Sequence, residues 1–135
     1  MRLLADTQIL IWYVLTPERL SPVAVAALDA ETAGNVKIGV SAHTLVEIAY
    51  AAEKSKNSLT ADDVDTIRTV LHDPASPFEV VSLDFAIGEH VGVVPRAANA
   101  DPGDRIVVST AEVLDLAIVS SDRKIPAMTS QRVIW

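Results

Sequence analysis

Four acidic residues occupy positions from which a folded chain would bring their carboxylates together. They are far apart in the sequence, but each follows a short apolar segment or lies near a predicted helix start: Asp6, Glu47, Asp104 and Asp122. Crowded carboxylates repel one another strongly unless a cation or protons neutralise them. Mg²⁺ prefers about six oxygen ligands and commonly takes a few carboxylates together with waters and substrate phosphate. The four acids therefore predict a divalent metal site that acts on a phosphate group.

The composition limits the ligands of such a site to oxygen or imidazole. Cysteine is absent, which excludes disulfides, thiolate nucleophiles and Cys-based zinc sites and agrees with a reducing compartment. The three histidines are His43, His72 and His90, and no two of them have the helical spacing of a zinc protease motif. The net charge of −7 argues against a broad basic surface, because neutralising phosphates requires Lys and Arg. A nuclease of this charge would rely on bound metal or on a partner.

The length of 135 residues fits one ordinary domain, because single cores of about 100–150 residues are the commonest size. We therefore expect a single domain over 1–135. No apolar run reaches the roughly 18 residues of a membrane span, and Asp6 interrupts the stretch that would have to be the core of a signal peptide. The sequence thus predicts a cytoplasmic protein without a membrane partner.

The elements that must position the acids alternate between strands and helices. Apolar runs predict strands at 2–5, 36–40, 78–82 and 116–120, with a further one at 132–135. Capping residues, prolines and apolar spacing predict helices over 7–15, from Pro22 towards Gly34, from Ser41, from Thr60 to before Pro74, from Asp84 to Pro95, and from Asp101 to about Asp115. This alternation is typical of a three-layer, doubly wound α/β fold with a mostly parallel central sheet flanked by helices.

Such a fold also predicts where the acids lie. Asp6 follows the first strand, and Asp122 follows the strand that ends near Ser120. Glu47 comes early in the helix after the second strand, and Asp104 is near a helix start. Ligands of open parallel sheets bind beyond the carboxyl ends of the strands, where the strand order reverses. All four acids are therefore expected at one end of the sheet.

Each acid taken alone also has an ordinary structural interpretation. Asp6 could cap the following helix, and Glu47 could lie on a solvated helix face, which for a single residue is the commoner case. Capping would explain one of Asp101 and Asp104, but two acids three residues apart are harder to explain in that way. Asp122 could be a turn residue paired with a basic neighbour. Each acid taken alone is weak evidence for a metal site, but the four acids together are strong evidence.

Four segments carry these acids in a specific order and spacing. They are Leu-Leu-Ala-Asp-Thr at 3–7, the lone Glu47 in an apolar helix, Asp-Pro-Gly-Asp-Arg-Ile-Val-Val-Ser-Thr-Ala at 101–111, and Val-Ser-Ser-Asp-Arg-Lys-Ile at 119–125. The segments look like those of the PIN domain, and are especially similar to the toxins of VapBC toxin–antitoxin pairs. The likeness covers nearly the whole chain, and the third segment is the most specific.

The resemblance implies roles for particular residues. It makes Asp6, Glu47, Asp104 and Asp122 the catalytic and metal-binding acids, with Thr7, Asp101 and Ser120 as supporting polar groups and Arg105 as structural or phosphate-facing. It implies a metal-dependent endoribonuclease that uses Mg²⁺, or alternatively Mn²⁺, to hydrolyse phosphodiester bonds of structured RNA. A cognate VapB-like antitoxin and a homodimer are further expectations from the resemblance.

Three positions depart from the pattern of that family. Gln8 and Asn99 stand where histidine would be expected, and Gly103 replaces a larger residue between Pro102 and Asp104. None of these departures removes a carboxylate. They bear on substrate choice and on the shape of the loop before Asp104.

Three other functions are compatible with an aspartate after the first strand. An aspartyl-phosphate phosphohydrolase would need a second acid two residues after Asp6, where this chain has Gln8. A receiver-like phosphoacceptor domain would need paired acids near the first strand, and these are absent although Lys124 could supply its lysine. A non-catalytic PIN-like domain that binds RNA or protein remains the alternative, and the presence of all four acids counts against it.

Overall fold

The computed structural model describes residues 1–54 and 59–135, in which strands and helices alternate as the sequence predicts. The strands are β1 (Leu3–Ala5), β2 (Ile38–Ser41), β3 (Phe78–Val81), β4 (Ala117–Val119) and β5 (Val133–Ile134). The helices are α1 (Thr7–Leu15), α2 (Pro22–Ala33), α3 (Ala42–Glu53), α4 (Ala61–His72), α5 (Phe85–His90) and α6 (Pro102–Leu114). Two short 3₁₀ turns cover Pro17–Arg19 and Ile125–Ala127.

The five strands form one sheet in the order β3-β2-β1-β4-β5, and every pairing is parallel. β1 lies at the centre, with Leu4 in register with Gly39 of β2 and with Ile118 of β4. The chain builds outwards from β1 to β2 and β3, then returns to place β4 on the other side of β1. The strand order therefore reverses beside β1, which is where a ligand crevice is expected.

Helices cover both faces of this sheet, so the predicted three-layer α/β architecture is confirmed. Leu3 and Ala5 of β1 join a core that includes residues of α1, α2 and α4, whereas Leu4 joins a second core with α6. This division follows from the strand geometry, because successive side chains of a strand point to opposite faces. Leu4 is fully buried, and burying a leucine stabilises the fold by about 1.5–3 kcal/mol. The first strand is thus anchored on both sides before the chain reaches Asp6.

The helix predicted from Asp84 to Pro95 is wrong in its length, because α5 ends at His90. Glycine is a weak helix former, and Gly88 and Gly92 lie in this segment. A partly buried arginine also competes for the carbonyls of this segment: Arg105 Nη2 donates to the carbonyls of Val91 and Val94 at 2.8 and 3.2 Å. These two bonds hold residues 91–94 in a turn that packs on α6.

No helix in the described ranges, 1–54 and 59–135, has both the length and the apolar character needed to cross a membrane.

Candidate functional site

A cleft of about 500 Å³ opens at the carboxyl end of the sheet, bounded by α1, α3, α6 and the loop after β4. All four acids predicted from the sequence contribute to its wall. The lining residues are Asp6, Thr7, Gln8, Ile11, Glu47, Ala51, Gly103, Asp104, Val107, Ser121 and Asp122. The convergence expected from a doubly wound sheet is therefore present.

Asp6 is held at the point where β1 becomes α1. Its backbone N–H donates to the carbonyl of Val119 in β4 at 3.1 Å, and its Oδ1 accepts from Ile9 N–H at 2.9 Å. The first bond continues the pairing of β1 with β4, and the second caps α1. The capping interpretation of Asp6 is thus correct, and it coexists with a position in the wall of the cleft.

Asp101 and Asp104 divide two tasks at the start of α6. Asp101 is the capping residue, because its Oδ1 accepts from Asp104 N–H at 3.1 Å. Asp104, three residues later, is not needed for capping and lines the cleft. Asp101 does not line the cleft.

Asp122 lies in the turn that follows β4. Its N–H donates to Ser120 Oγ at 3.1 Å, and its Oδ1 accepts from Lys124 N–H at 2.8 Å. Ser120 itself is only 1% exposed and does not line the cleft. The turn interpretation of Asp122 therefore also holds, although its partner is a backbone N–H and not a basic side chain.

Glu47 reaches the cleft from the second turn of α3 and is held there by α1. The hydroxyl of Thr7 donates to Glu47 Oε2, and the hydroxyls of Thr7 and Thr44 lie 3.0 Å apart. Thr44 is 1% exposed, and sequence analysis did not single it out. Its only signal is a position one helical turn before Glu47, on the same face of α3.

Asn99 is a second site residue whose role the sequence did not reveal. Its Nδ2 donates to Asp104 Oδ2 at 2.5 Å, and its Oδ1 accepts from Asp101 N–H at 2.9 Å. The amide thus joins the two acids that begin α6. The sequence showed Asn99 only as a departure from an expected histidine.

Arg105 does not line the cleft. Its guanidinium is bound to the carbonyls of Val91 and Val94, and its Nε is buried without a hydrogen-bond partner among the described residues. Of the two roles that the resemblance allows for Arg105, this position corresponds to the structural one.

The electrostatics of the cleft disfavour ionised carboxylates. Burial raises the pKa of Asp6 from 3.8 to about 6, and the charges of Asp104 and Asp122 add to this, whereas hydrogen bonds from Ser120 and Ile9 N–H partly oppose it. Burial also raises the pKa of Asp104, reinforced by the charges of Asp101, Asp122 and Glu47 and opposed by the bond from Asn99. A bound cation would relieve this repulsion.

The donor set suits a hard divalent cation, because every acidic side chain that lines the cleft offers oxygen atoms. Within 1–54 and 59–135, however, no three acidic or histidine side chains stand close enough to share one ion as they are placed. Glu47 and Asp104 are instead hydrogen-bonded to Thr7 and Asn99. The oxygen chemistry of these residues fits Mg²⁺ or Mn²⁺.

Comparisons with known proteins agree with this architecture. The model of the PIN domain family matches residues 3–130. The chain is 24% identical over 134 residues to Ribonuclease VapC22 of Mycobacterium tuberculosis (strain ATCC 25618 / H37Rv), covering 98% of this chain and 97% of that protein. It is also similar to a crystal structure of VapBC2 from Rickettsia felis bound to a promoter DNA fragment, with a TM-score of 0.73, 16% identity and coverage of 98% and 97%. A structure of DNA-bound VapBC from Salmonella typhimurium gives a TM-score of 0.69 at 21% identity, with coverage of 98% and 96%. The two structures show a shared fold.

Proposed function

The chain belongs to the PIN domain family, and from that premise we propose that it is a metal-dependent endoribonuclease acting as the toxin of a VapBC-type toxin–antitoxin pair. One observation carries the proposal: Asp6, Glu47, Asp104 and Asp122 converge on a single cleft at the carboxyl end of the sheet. RNA as the substrate is supported by the similarity to a relative named as a ribonuclease.

The same four carboxylates would hold Mg²⁺, or alternatively Mn²⁺. When bound, such an ion supplies Lewis-acid chemistry, lowering the pKa of water and neutralising charge on the phosphate. The chain itself supplies the framework for the acids. Asp6 is fixed by two backbone bonds, Thr7 holds Glu47, and Asn99 orients Asp104.

The phosphate backbone of the substrate also needs positive charge from the protein. Arg123 and Lys124 are exposed and directly follow Asp122 in the loop that borders the cleft. Long basic side chains at this place can reach phosphates beside the scissile bond without making the whole surface basic. This arrangement is compatible with a net charge of −7.

An antitoxin and a second copy of the chain are the proposed partners. Support comes from the VapBC complexes among similar structures and from large apolar side chains left in solvent. Tyr50, Phe85 and Val93 are 64%, 83% and 70% exposed. Apolar groups of this size at a surface commonly mark sites that another protein covers.

The second candidate is a PIN-like domain that binds RNA or protein without cleavage. One observation favours it: in the described part of the chain no three acids are placed to coordinate one ion together. A binding domain of this kind would retain RNA in the absence of metal and would leave it intact when metal is added.

An RNA cleavage assay separates the two candidates. Wild type and Asp6→Asn are incubated with total RNA in EDTA, Mg²⁺ or Mn²⁺, and the new ends are mapped. Asparagine preserves an oxygen for the α1 cap while removing the charge. Asp65→Asn, on the exposed face of α4, is the matched control.

We expect cleavage that requires metal, persists in Asp65→Asn and falls by roughly 100-fold or more in Asp6→Asn, because a metal ligand is lost. Equal cleavage by wild type and Asp6→Asn would refute the assigned site. RNA binding by wild type without cleavage in any metal would favour the non-catalytic domain.

A further inference from the structure

Gly103, the second residue of α6, lies directly against the carboxylate of Glu47. It is buried and forms part of the cleft wall. A Cβ built at this position would overlap Glu47 Oε1 and would lie 3.1 Å from Glu47 Cδ and 3.2 Å from Asp101 Oδ1. The space that Glu47 occupies therefore exists because residue 103 has no side chain.

The other oxygen of Glu47 is already engaged. Thr7 donates its hydroxyl to Glu47 Oε2, and Thr7 is itself in contact with the hydroxyl of the buried Thr44. The carboxylate is thus held between the first turn of α1 and the first turn of α6.

The backbone gives no reason for a glycine at this position. No glycine among the described residues has a positive φ, so residue 103 does not need the conformational freedom of glycine. In a helix, alanine is more stable than glycine. The close contact with Glu47 therefore explains why residue 103 is glycine and not a residue with a side chain.

We propose that Gly103 is a positioning residue that lets the Glu47 carboxylate enter the cation site beside the start of α6. The inference rests on the proposed function, since it assigns Glu47 to the metal. An added methyl group would displace the carboxylate and leave the fold intact, because the nearest atom that it meets, Glu47 Oε1, is the end of a flexible side chain.

Gly103→Ala tests the proposal against a matched control. Gly88→Ala also changes a helical glycine to alanine, but a Cβ at residue 88 meets nothing within 4 Å. Mn²⁺ affinity is measured by calorimetry, melting temperature is measured in EDTA, and RNA cleavage is measured separately. We expect Gly103→Ala to melt at or above the wild-type temperature and to bind Mn²⁺ about ten-fold more weakly, the lower end of the loss seen when groups that orient metal ligands are changed. Gly88→Ala should match wild type in both Mn²⁺ affinity and cleavage.

A double-mutant cycle with Glu47→Asp identifies the cause of the loss. Aspartate is one methylene shorter and would no longer reach residue 103. Glu47→Asp alone should weaken Mn²⁺ binding, but adding Gly103→Ala to it should cost less than about two-fold more, the non-additivity expected of residues in contact.

Four results would overturn the proposal. Unchanged Mn²⁺ affinity in Gly103→Ala would show that the position of Glu47 does not depend on the glycine. If Gly103→Ala weakened Mn²⁺ binding as much in the Glu47→Asp protein as in wild type, the loss would come from the start of α6 and not from the contact with Glu47. A clearly lower melting temperature in EDTA would make Gly103 a residue of the fold. A wild-type protein that neither binds Mn²⁺ nor cleaves RNA would refute the proposed function itself, which distinguishes that failure from the other three.

Discussion

Removing the charge of Asp6 should stabilise the metal-free protein at neutral pH. The pKa of Asp6 is raised by burial from 3.8 to about 6, so the folded state favours the protonated acid. A tenfold change in an ionisation constant corresponds to about 1.4 kcal/mol. The ionised carboxylate therefore costs the folded state about 3 kcal/mol, a cost that Asp6→Asn removes while keeping an oxygen for the N–H of Ile9.

The pH dependence has a definite sign. Below pH 3.8, Asp6 is protonated in both the folded and the unfolded state, and its ionisation does not change the stability. Between 3.8 and about 6 the folded state holds a proton that the unfolded state has released, so stability falls as the pH rises. Above 6 both states are ionised and the full cost remains. The advantage of Asp6→Asn over wild type should grow through this window and then stay level.

Urea unfolding in EDTA at a series of pH values measures the effect. At pH 7.5 we expect Asp6→Asn to be more stable than wild type by about 3 kcal/mol, with a melting temperature higher by roughly 10 °C for a domain of this size. At pH 3.5 the two proteins should agree within about 0.5 kcal/mol, the range of ordinary surface substitutions. Asp65→Asn should follow wild type throughout.

A stability difference between wild type and Asp6→Asn that does not change from pH 3.5 to 7.5 would refute this reasoning. It would mean that Asp6 ionises in the folded protein as it does in the unfolded chain. A less stable Asp6→Asn at pH 7.5 would show that the carboxylate is neutralised without metal, and would contradict the repulsion assigned to the cleft.

Three further predictions concern groups around the acids. Asn99→Ala should lower the free energy of unfolding by about 0.5–1.5 kcal/mol, because Asp101 N–H loses its acceptor, and should reduce RNA cleavage. Urea unfolding and cleavage rates at saturating Mg²⁺ check both effects, and unchanged values for both would contradict the bridge. Arg105→Met should release residues 91–94, because the carbonyls at either end lose their donor. We expect amide hydrogen exchange to become faster in residues 91–94 and to stay slow in the central sheet. Unchanged exchange in residues 91–94 would contradict this prediction. Replacing Arg123 and Lys124 together by Gln should raise the KM for RNA. It should also reduce the slope of log KM against log salt concentration by about one to two, because each lost phosphate contact means fewer counterions released on binding. An unchanged slope would show that the RNA does not contact these two residues.

The resemblance to PIN domains and the α/β fold, both inferred from the sequence, are confirmed by the family match, the similar structures and the sheet topology. The starts of the helices were the most predictable feature, because an N-cap hydrogen bond joins residues only a few positions apart in the sequence. Asp6, Ser21 and Thr60 each accept a bond from the backbone three residues later, as their positions indicated. The metal and the catalytic roles of the acids remain predictions.

The errors arose where distant residues compete with local preferences. The length of α5 depends on Arg105, whose guanidinium donates hydrogen bonds to carbonyls 11 and 14 residues earlier in the chain. The bridge made by Asn99 depends on the path of the loop before α6. Neither effect leaves a periodic pattern in the sequence, because each requires the packed positions of separate segments.

The sequence by itself determined the order of the strands and helices, the parallel sheet and the end at which the acids meet. These follow from apolar periodicity, capping and the rule that parallel strands share one carboxyl end. Only the tertiary structure decided how each acid is held. Thr7 and Glu47 are separated by 40 residues, and the fit of Glu47 against Gly103 depends on the packing of α3 on α6. Such contacts are set by the distances between packed helices, which no local pattern of residues specifies.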